Sequence, residues 1–360
     1  MSIVTGRNTQ QSELNADLLS FDDFEFAWVG PGRTPGLACF GSEDGKLAFQ
    51  EASGDTSFEY SKKDSREAIN GIAFGSNGFA YSTRDEVVVR RYASNGQSKS
   101  ARLPGAHEVV SIGRDGYVVP RGIRGFQIIE AQSDTLKLVT SRSNPVCNFY
   151  KSLFLTRSRR VVFAGRNTAL VWVDLSNGAM YQMSPKSDDG RPLDVVSVCE
   201  MDSRDGVQVV AALGRTGEIL IAPNPSSRLS PAILTYEAFQ GVTYQIVCRN
   251  GHFFVLTDKE LYCVTDLAQN YHLGRDIQNL NVTISNISLP APAVHMNTIG
   301  NYLWVATTAG AFPVDLALFP PMAKDKSAPS IMLNRPTRFH NADGYPTPLI
   351  QDPMQELVLI

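Results

Sequence analysis

Cations recur along this chain in one kind of place, a short polar stretch between two apolar runs. Arg84 stands in "STRDE", Arg121 and Arg124 in "PRGIRG", Arg166 in "AGRNT", Arg215 in "LGRTG" and Lys259 in "TDKEL". The chemistry open to such a set is anion recognition, because the planar fork of a guanidinium holds a carboxylate or phosphate through two parallel hydrogen bonds. Arg157, Arg159 and Arg160 in "TRSRRVV" form a second candidate patch. The plainer reading of both sets is that turns are polar and these side chains are simply solvated. Asp85, Glu86, Glu218, Asp258 and Glu260 partly neutralise the first set.

Other chemistries find little support. There is no GxSxG elbow, Walker A loop, HExxH pair or dinucleotide fingerprint. His107, His252, His272, His295 and His340 are spread over distant segments, and no CxxC pair signals zinc. "MDSRDG", with Asp202 and Asp205, lacks the alternating oxygen ligands of a calcium loop and reads as a hairpin turn. No catalytic residue, metal or cofactor is therefore expected. Cys39, Cys147, Cys199, Cys248 and Cys263 sit singly inside apolar runs, as buried free thiols do.

The elements that would position the cations repeat. "LACFGSEDGKLAFQEASG" from residue 37, "FAYSTRDEVVVRRYASNG" from 79, "YVVPRGIRGFQIIEAQSD" from 117 and "VVFAGRNTALVWVDLSNG" from 161 share one cadence. "VVAALGRTGEILIAP" from 209, "FFVLTDKELYCVTDL" from 253 and "LWVATTAGAFPVDL" from 303 complete seven copies. A further strand-like segment precedes most copies and ends in a glycine turn. Gly36, Gly78, Gly116, Gly206, Gly251 and Gly300 mark it, with one gap near Arg159, and their spacing gives a repeat of 44 residues. Glycine suits a tight hairpin because it adopts positive φ without a steric penalty.

Each unit is three short strands, with a variable stretch behind it that has room for a fourth. Four short antiparallel strands at this period make the blade of a β-propeller. The predicted fold is all-β, a seven-bladed β-propeller of four-stranded antiparallel blades. Two stacked β-sandwiches fit the strand content but not seven regular copies. Equivalent turns of successive blades share a face, so the first cation set would form a partial arc on one surface. The Arg157 group would lie on the opposite one.

The segment 69–96, "INGIAFGSNGFAYSTRDEVVVRRYASNG", resembles a WD-repeat blade, from its apolar first strand to its closing Asn-Gly. "GAHEVVSIGRDG" has Gly-Ala-His where that family has Gly-His, and "VWVDL" is similar to its Trp-Asp. The cadence runs over residues 25–320. The resemblance implies a noncatalytic scaffold that binds other proteins.

Residues 1–20 are expected to be an N-terminal extension able to supply a ring-closing strand, 21–320 the propeller, and 321–360 a Pro-rich strap or tail. Seven of the 20 prolines fall in the last 41 residues, and either end has a segment able to pair with the outer edge of a terminal blade. The long connections 51–67, 176–194 and 265–293, which carry Tyr60, Tyr181 and Tyr271, exceed what a hairpin needs and are candidate functional loops.

Charge is uneven. Residues 61–166 carry a net +10 and the remainder −13, so blades two to four form a basic sector on an acidic ring. The expected partner is another protein, engaged through an acidic or phosphorylated segment. Nucleic-acid binding by the basic sector is disfavoured by the overall charge of −3 and the acidic flanks. The enzymatic alternative is a hydrolase or lyase site at the mouth of the central channel. With no signal-peptide pattern and no apolar run long enough to span a bilayer, no membrane insertion and a cytoplasmic location are expected.

Overall fold

The computed structural model describes residues 18–51, 55–60, 67–92, 98–113, 116–131, 136–141, 148–166, 170–186, 190–201, 208–225, 231–236, 238–265, 267–272, 282–316, 333–334, 338–341 and 347–348. Asp202, Asp205, Gly206 and Cys147 lie outside them, as does the side chain of Tyr60.

Seven antiparallel sheets follow one another along the chain. Blade 1 is β1 (Phe26–Pro31), β2 (Ala38–Ser42), β3 (Lys46–Gln50) and β4 (Thr56–Tyr60); blade 2 is β5 (Gly71–Phe74), β6 (Gly78–Ser82), β7 (Glu86–Arg91) and β8 (Ser98–Arg102). Blade 3 is β9 (Val110–Gly113), β10 (Gly116–Pro120), β11 (Phe126–Ala131) and β12 (Leu136–Ser141); blade 4 is β13 (Asn148–Leu155), β14 (Arg160–Arg166), β15 (Leu170–Asp174) and β16 (Met180–Met183). Blade 5 is β17 (Val195–Met201), β18 (Val209–Gly214), β19 (Glu218–Pro223) and β20 (Ala232–Thr235). Blade 6 is β21 (Thr243–Arg249), β22 (His252–Thr257), β23 (Glu260–Val264), the short helix α1 (Leu267–His272) and β24 (Val282–Ser288). Blade 7 is β25 (Ala293–Ile299), β26 (Tyr302–Thr307) and β27 (Gly310–Asp315), to whose edge Leu19 adds an antiparallel bridge with Ala311. The protein is a seven-bladed β-propeller. The first strand of each blade lies innermost, and β1 packs against β25 to close the ring.

A blade has two faces and no interior, so its apolar residues are buried only against its neighbours. Accordingly β2, β6, β10 and β15 are buried along their whole length. The buried apolar residues fall into clusters that each join two adjacent blades. Ala73, Val87 and Val89 of blade 2 meet Val109, Tyr117 and Val119 of blade 3, and Val118 and Phe126 of blade 3 meet Phe149 and Phe163 of blade 4. Ring closure uses the same device: Val29, Ala38 and Phe40 of blade 1 pack with Ile299, Trp304 and Ala306 of blade 7. Four of the five cysteines, Cys39, Cys199, Cys248 and Cys263, are buried thiols outside any disulfide.

The turn glycines divide into two kinds. Gly36, Gly251 and Gly300 have positive φ as expected, and Arg159 takes the same left-handed conformation (φ 52°) where the glycine is missing. Gly78 does not have positive φ. A Cβ there would sit 2.0 Å from the Arg90 carbonyl oxygen, so close strand approach is what requires glycine. The three long connections also differ from expectation, because each contains the blade's outer strand: β4, β16, and β24 preceded by α1. Within them Tyr271 is buried in the core between blades 5 and 6, and Tyr181 packs beneath Arg160.

The tail pairs with blades in reverse order. β28 (Leu333–Asn334) adds to β24 of blade 6, β29 (Arg338–Asn341) to β20 of blade 5, and β30 (Thr347–Pro348) to β16 of blade 4. The described strands of the C-terminal segment thus pair with blades 6, 5 and 4, while Leu19 bridges to the edge of blade 7.

Candidate functional site

The turns between second and third strands and the connections entering each new blade lie on one face, called here the upper face. Backbone bonds tie the two sets together: Gly105 and Ala106 donate to the Arg84 carbonyl, His107 to Pro120, Arg215 to Asp194, and Leu289 to Lys259. Hydroxyls at the ends of second strands organise these turns. Ser42 Oγ accepts from the Lys46 amide at 2.7 Å, Thr257 Oγ1 from Glu260 at 3.1 Å, and Thr307 Oγ1 donates to the Gly310 carbonyl at 2.8 Å. The turn residues between are therefore held outward.

All six cations of the first set lie on this face, spread over five consecutive blades. Arg84, Arg124, Arg166 and Lys259 are exposed and have no ion pair with a described residue. Arg215 is exposed but paired to Asp194, Nε to Oδ2 at 2.9 Å. Arg121 is half-buried and donates to the Pro104 carbonyl at 3.4 Å; burial, and then Arg124 beside it, pull its pKa down. Around Tyr150 the charges converge. Burial raises the phenol's pKa and Asp194 raises it further, while Arg166 and Arg215 pull it the other way. Its hydroxyl accepts from Asn148 Nδ2 at 2.8 Å, and its ring meets His107 edge-on with centroids 5.5 Å apart. Apolar groups stand exposed on the same face: Ile123, 67% accessible between Arg121 and Arg124, and Val242 and Tyr244 at blade 6.

The second set does not act as one patch. Arg157 and Arg159 are exposed on the lower face. Arg160 is occupied in the fold: its Nε pairs with Asp174 at 3.2 Å, its Nη1 bonds Asn224 at the end of blade 5's third strand, and its guanidinium lies 5.6 Å from the Tyr181 ring centroid.

Inside the channel is a group that sequence reasoning missed. Five inner strands carry a bulge at one shared position, with Ala27, Tyr150, Val196, Tyr244 and Val294 as the extra residues. Each bulge re-aims the residue that follows it. Those residues are Trp28, Lys151, Ser197, Gln245 and His295, at equivalent register opposite Gly41, Ala164, Leu213, Leu256 and Ala306.

Glu108, in the connection entering blade 3, meets this ring. Lys151 Nζ bonds its Oε2 at 2.8 Å, Trp28 Nε1 donates to its Oε1 at 3.4 Å, and His295 Nε2 is 3.9 Å from Oε1. The Val29 amide donates to His295 Nδ1 at 3.4 Å, and Gln245 Nε2 lies 3.4 Å from His295 Nε2 while its Oε1 accepts from the Met296 amide at 2.8 Å. Burial, and then Lys151, push the His295 pKa down to about 3. Burial is the largest single influence on Glu108 and opposes its ionisation, but Lys151, His295 and the Trp28 N–H together outweigh it and hold the carboxyl below its ordinary range. Gly71 makes room for the acid, since a Cβ there would lie 2.8 Å from the Val109 nitrogen and 2.9 Å from Glu108 Cγ.

The only sequence trace of this ring is one position per repeat in the first strand. Its occupants differ in type, so no motif marks it.

Solved structures share the architecture. The WD40 repeats of RRP9 superpose with a TM-score of 0.62 at 8% identity, covering 82% of this chain and 91% of that one. The structure of U3-55K gives 0.63 at 8% identity over 84% and 100%, and the Cps50 (Swd1) β-propeller domain of Myceliophteria thermophila 0.60 at 8% over 82% and 99%. At such identities the likeness is one of fold. No family model matches the sequence, and no curated protein does.

Proposed function

We propose that this WD-repeat-like seven-bladed propeller is a noncatalytic protein-interaction scaffold whose upper face receives an acidic or phosphorylated segment of a partner protein. The observation that carries the reading is the set of exposed cations without an ion pair among the described residues, Arg84, Arg124, Arg166 and Lys259, on one face with exposed Ile123, Val242 and Tyr244. Exposed guanidinium forks supply orientation and steering toward an anion. Apolar groups between them supply the area that excludes water.

The polar side chains of the channel point to one another. Glu108, Lys151, Trp28 and His295 serve the ring rather than a substrate. Four buried cysteines outside any disulfide fit a reducing compartment such as the cytoplasm.

The test starts from cross-linking mass spectrometry in the native host, followed by binding of the identified partner segment in phosphorylated and unphosphorylated form. Arg84→Glu, Arg124→Glu and Arg166→Glu together should weaken it by at least about 100-fold, as expected for several charge-assisted contacts of roughly 1 kcal/mol or more each. Arg157→Glu with Arg159→Glu on the lower face should leave affinity unchanged. Equal loss from both variants, or from neither, refutes the upper-face reading.

A further inference from the structure

The rim between blades 7 and 1 leaves a large aromatic side chain uncovered. One row of blade 1 runs outward from Val29 through the cross-strand partners Phe40, Ala48 and Phe58, and its buried members pack against blade 7. Those first three members are fully buried, whereas Phe58 on β4 is 53% exposed. The equivalent row of blade 5 is Val198, Ala212, Leu220 and Ile233, packed against blade 4, and there the outermost member is buried. The difference lies in the preceding blade. Blade 4 covers the row with its fourth strand, β16, through Tyr181 and Met183, while blade 7 has three strands among the described residues and the Leu19 bridge at its edge.

Phe58 is not a stray surface residue. Its ring meets those of Phe21 and Phe24 at centroid distances of 5.3 and 6.2 Å, and Phe21 in turn meets Phe26 and Phe40. Phe21 is itself half-buried, and Leu18, three residues before it, is exposed. An exposed apolar surface of this kind, rimmed by polar groups, is what interaction sites present.

Here the rim is acidic. Asp22 and Asp23 form the turn between Phe21 and Phe24, whose amide donates to the Phe21 carbonyl; Glu25 follows, and its carbonyl accepts from the Glu43 amide. All four carboxylates are exposed and have no ion pair with a described residue. Burial, and then Glu25 beside it, raise the Glu43 pKa, as when carboxylates lack a nearby cation. Lys46, the cation of this corner, is occupied by Asp44 at 3.3 Å and by the Asp23 carbonyl. Blade 1 also carries none of the candidate cations of blades 2 to 6.

We propose that Phe58 and Phe21, with the carboxylates of Asp22, Asp23, Glu25 and Glu43, form a docking surface for a basic segment of a partner protein, one in which an apolar residue is flanked by Arg or Lys. The apolar residue covers the two rings, and the flanking cations meet the carboxylates. An arginine also suits the face of an exposed aromatic ring. The surface is opposite in charge to the cation arc, and the inference stands without that reading.

Fluorescence anisotropy with a labelled peptide Arg-Lys-Leu-Phe-Lys-Arg tests this against two controls, Arg-Lys-Ser-Ser-Lys-Arg and Glu-Glu-Leu-Phe-Glu-Glu. The first should bind the intact protein at least about tenfold more tightly than either control. Phe58→Ser should remove that margin, and so should Asp22→Lys combined with Glu25→Lys. Arg84→Glu with Arg124→Glu should not reduce it. A margin that is absent, that survives either blade 1 variant, or that is lost in the arginine variant overturns the proposal. Should Phe58→Ser unfold, the carboxylate variant decides alone, since both of its substitutions fall on exposed side chains. Two other occupants are separable. Tighter binding by a chain lacking residues 1–17 assigns the surface to this chain's own N-terminal residues, and a dimer that sediments as a monomer after Phe58→Ser assigns it to a second copy. Either result overturns the proposal.

Discussion

Lys151→Met should destabilise the propeller by about 3 kcal/mol, the lower end of the cost of unpairing a buried charge. The estimate follows from the surroundings of Glu108. Its side chain is 17% exposed and that of Lys151 23%, and the two are 2.8 Å apart. Methionine fills the volume of the lysine stem but removes the ammonium. The carboxylate is then left with the Trp28 N–H at 3.4 Å and the neutral His295 at 3.9 Å. Glu108→Gln alone should cost less, because the more exposed Lys151 can turn toward water. The double variant should recover at least about 1 kcal/mol relative to the sum of the two, the coupling expected of residues in direct contact. Urea unfolding of the four proteins at neutral pH measures the cycle. Its pH dependence adds a second check with a definite sign. Without Lys151 the folded carboxyl has a pKa above that of the unfolded chain, so protonation relieves the strain and the deficit of Lys151→Met shrinks as pH falls. A loss below about 0.5 kcal/mol with additive singles would mean that the pair is screened like a surface ion pair. The channel group would then not lock the ring.

Two further outcomes are expected. Because the folded pKa of His295 is about 3 against an ordinary 6.5, the unfolded chain binds a proton that the folded chain does not. Stability from this group is complete above pH 6.5 and falls toward pH 3, by about 1.4 kcal/mol per unit. His295→Gln should flatten that slope in unfolding measurements between pH 7 and 4.5. Gly71→Ala places a methyl 2.8 Å from the Val109 backbone nitrogen and 2.9 Å from Glu108 Cγ. It should cost about 1 to 3 kcal/mol as overpacking and partly uncouple the Glu108–Lys151 pair in the same cycle.

Much of the architecture was legible because propeller blades are local. Each blade is built from one contiguous stretch whose apolar runs alternate with turn residues, so cadence alone gives blade number and the side on which each turn emerges. Arg84, Arg121, Arg124, Arg166, Arg215 and Lys259 fall on one face for that reason. Arg159 shows the limit of reading turns by glycine, since an arginine adopts the left-handed conformation there, while Gly78 is required by a close carbonyl. Long stretches read as loops turned out to hold outer strands, whose short, polar sequences carry a weak signal until an edge is present to pair with.

The repeat period, the all-β class, the buried thiols and the placement of cations in turns were determined by sequence alone, because each depends on residues adjacent in the chain. Three things were decided only when the ring closed. One is the convergence of Trp28, Glu108, Lys151, Gln245 and His295, contributed by five blades. Another is the division of the candidate arginines into ones without an ion pair among the described residues and ones held by Asp194 or Asp174. The last is the return of the tail over blades 6, 5 and 4. Each depends on contacts between residues tens to hundreds of positions apart, and a linear pattern carries no record of which distant strand will become a neighbour.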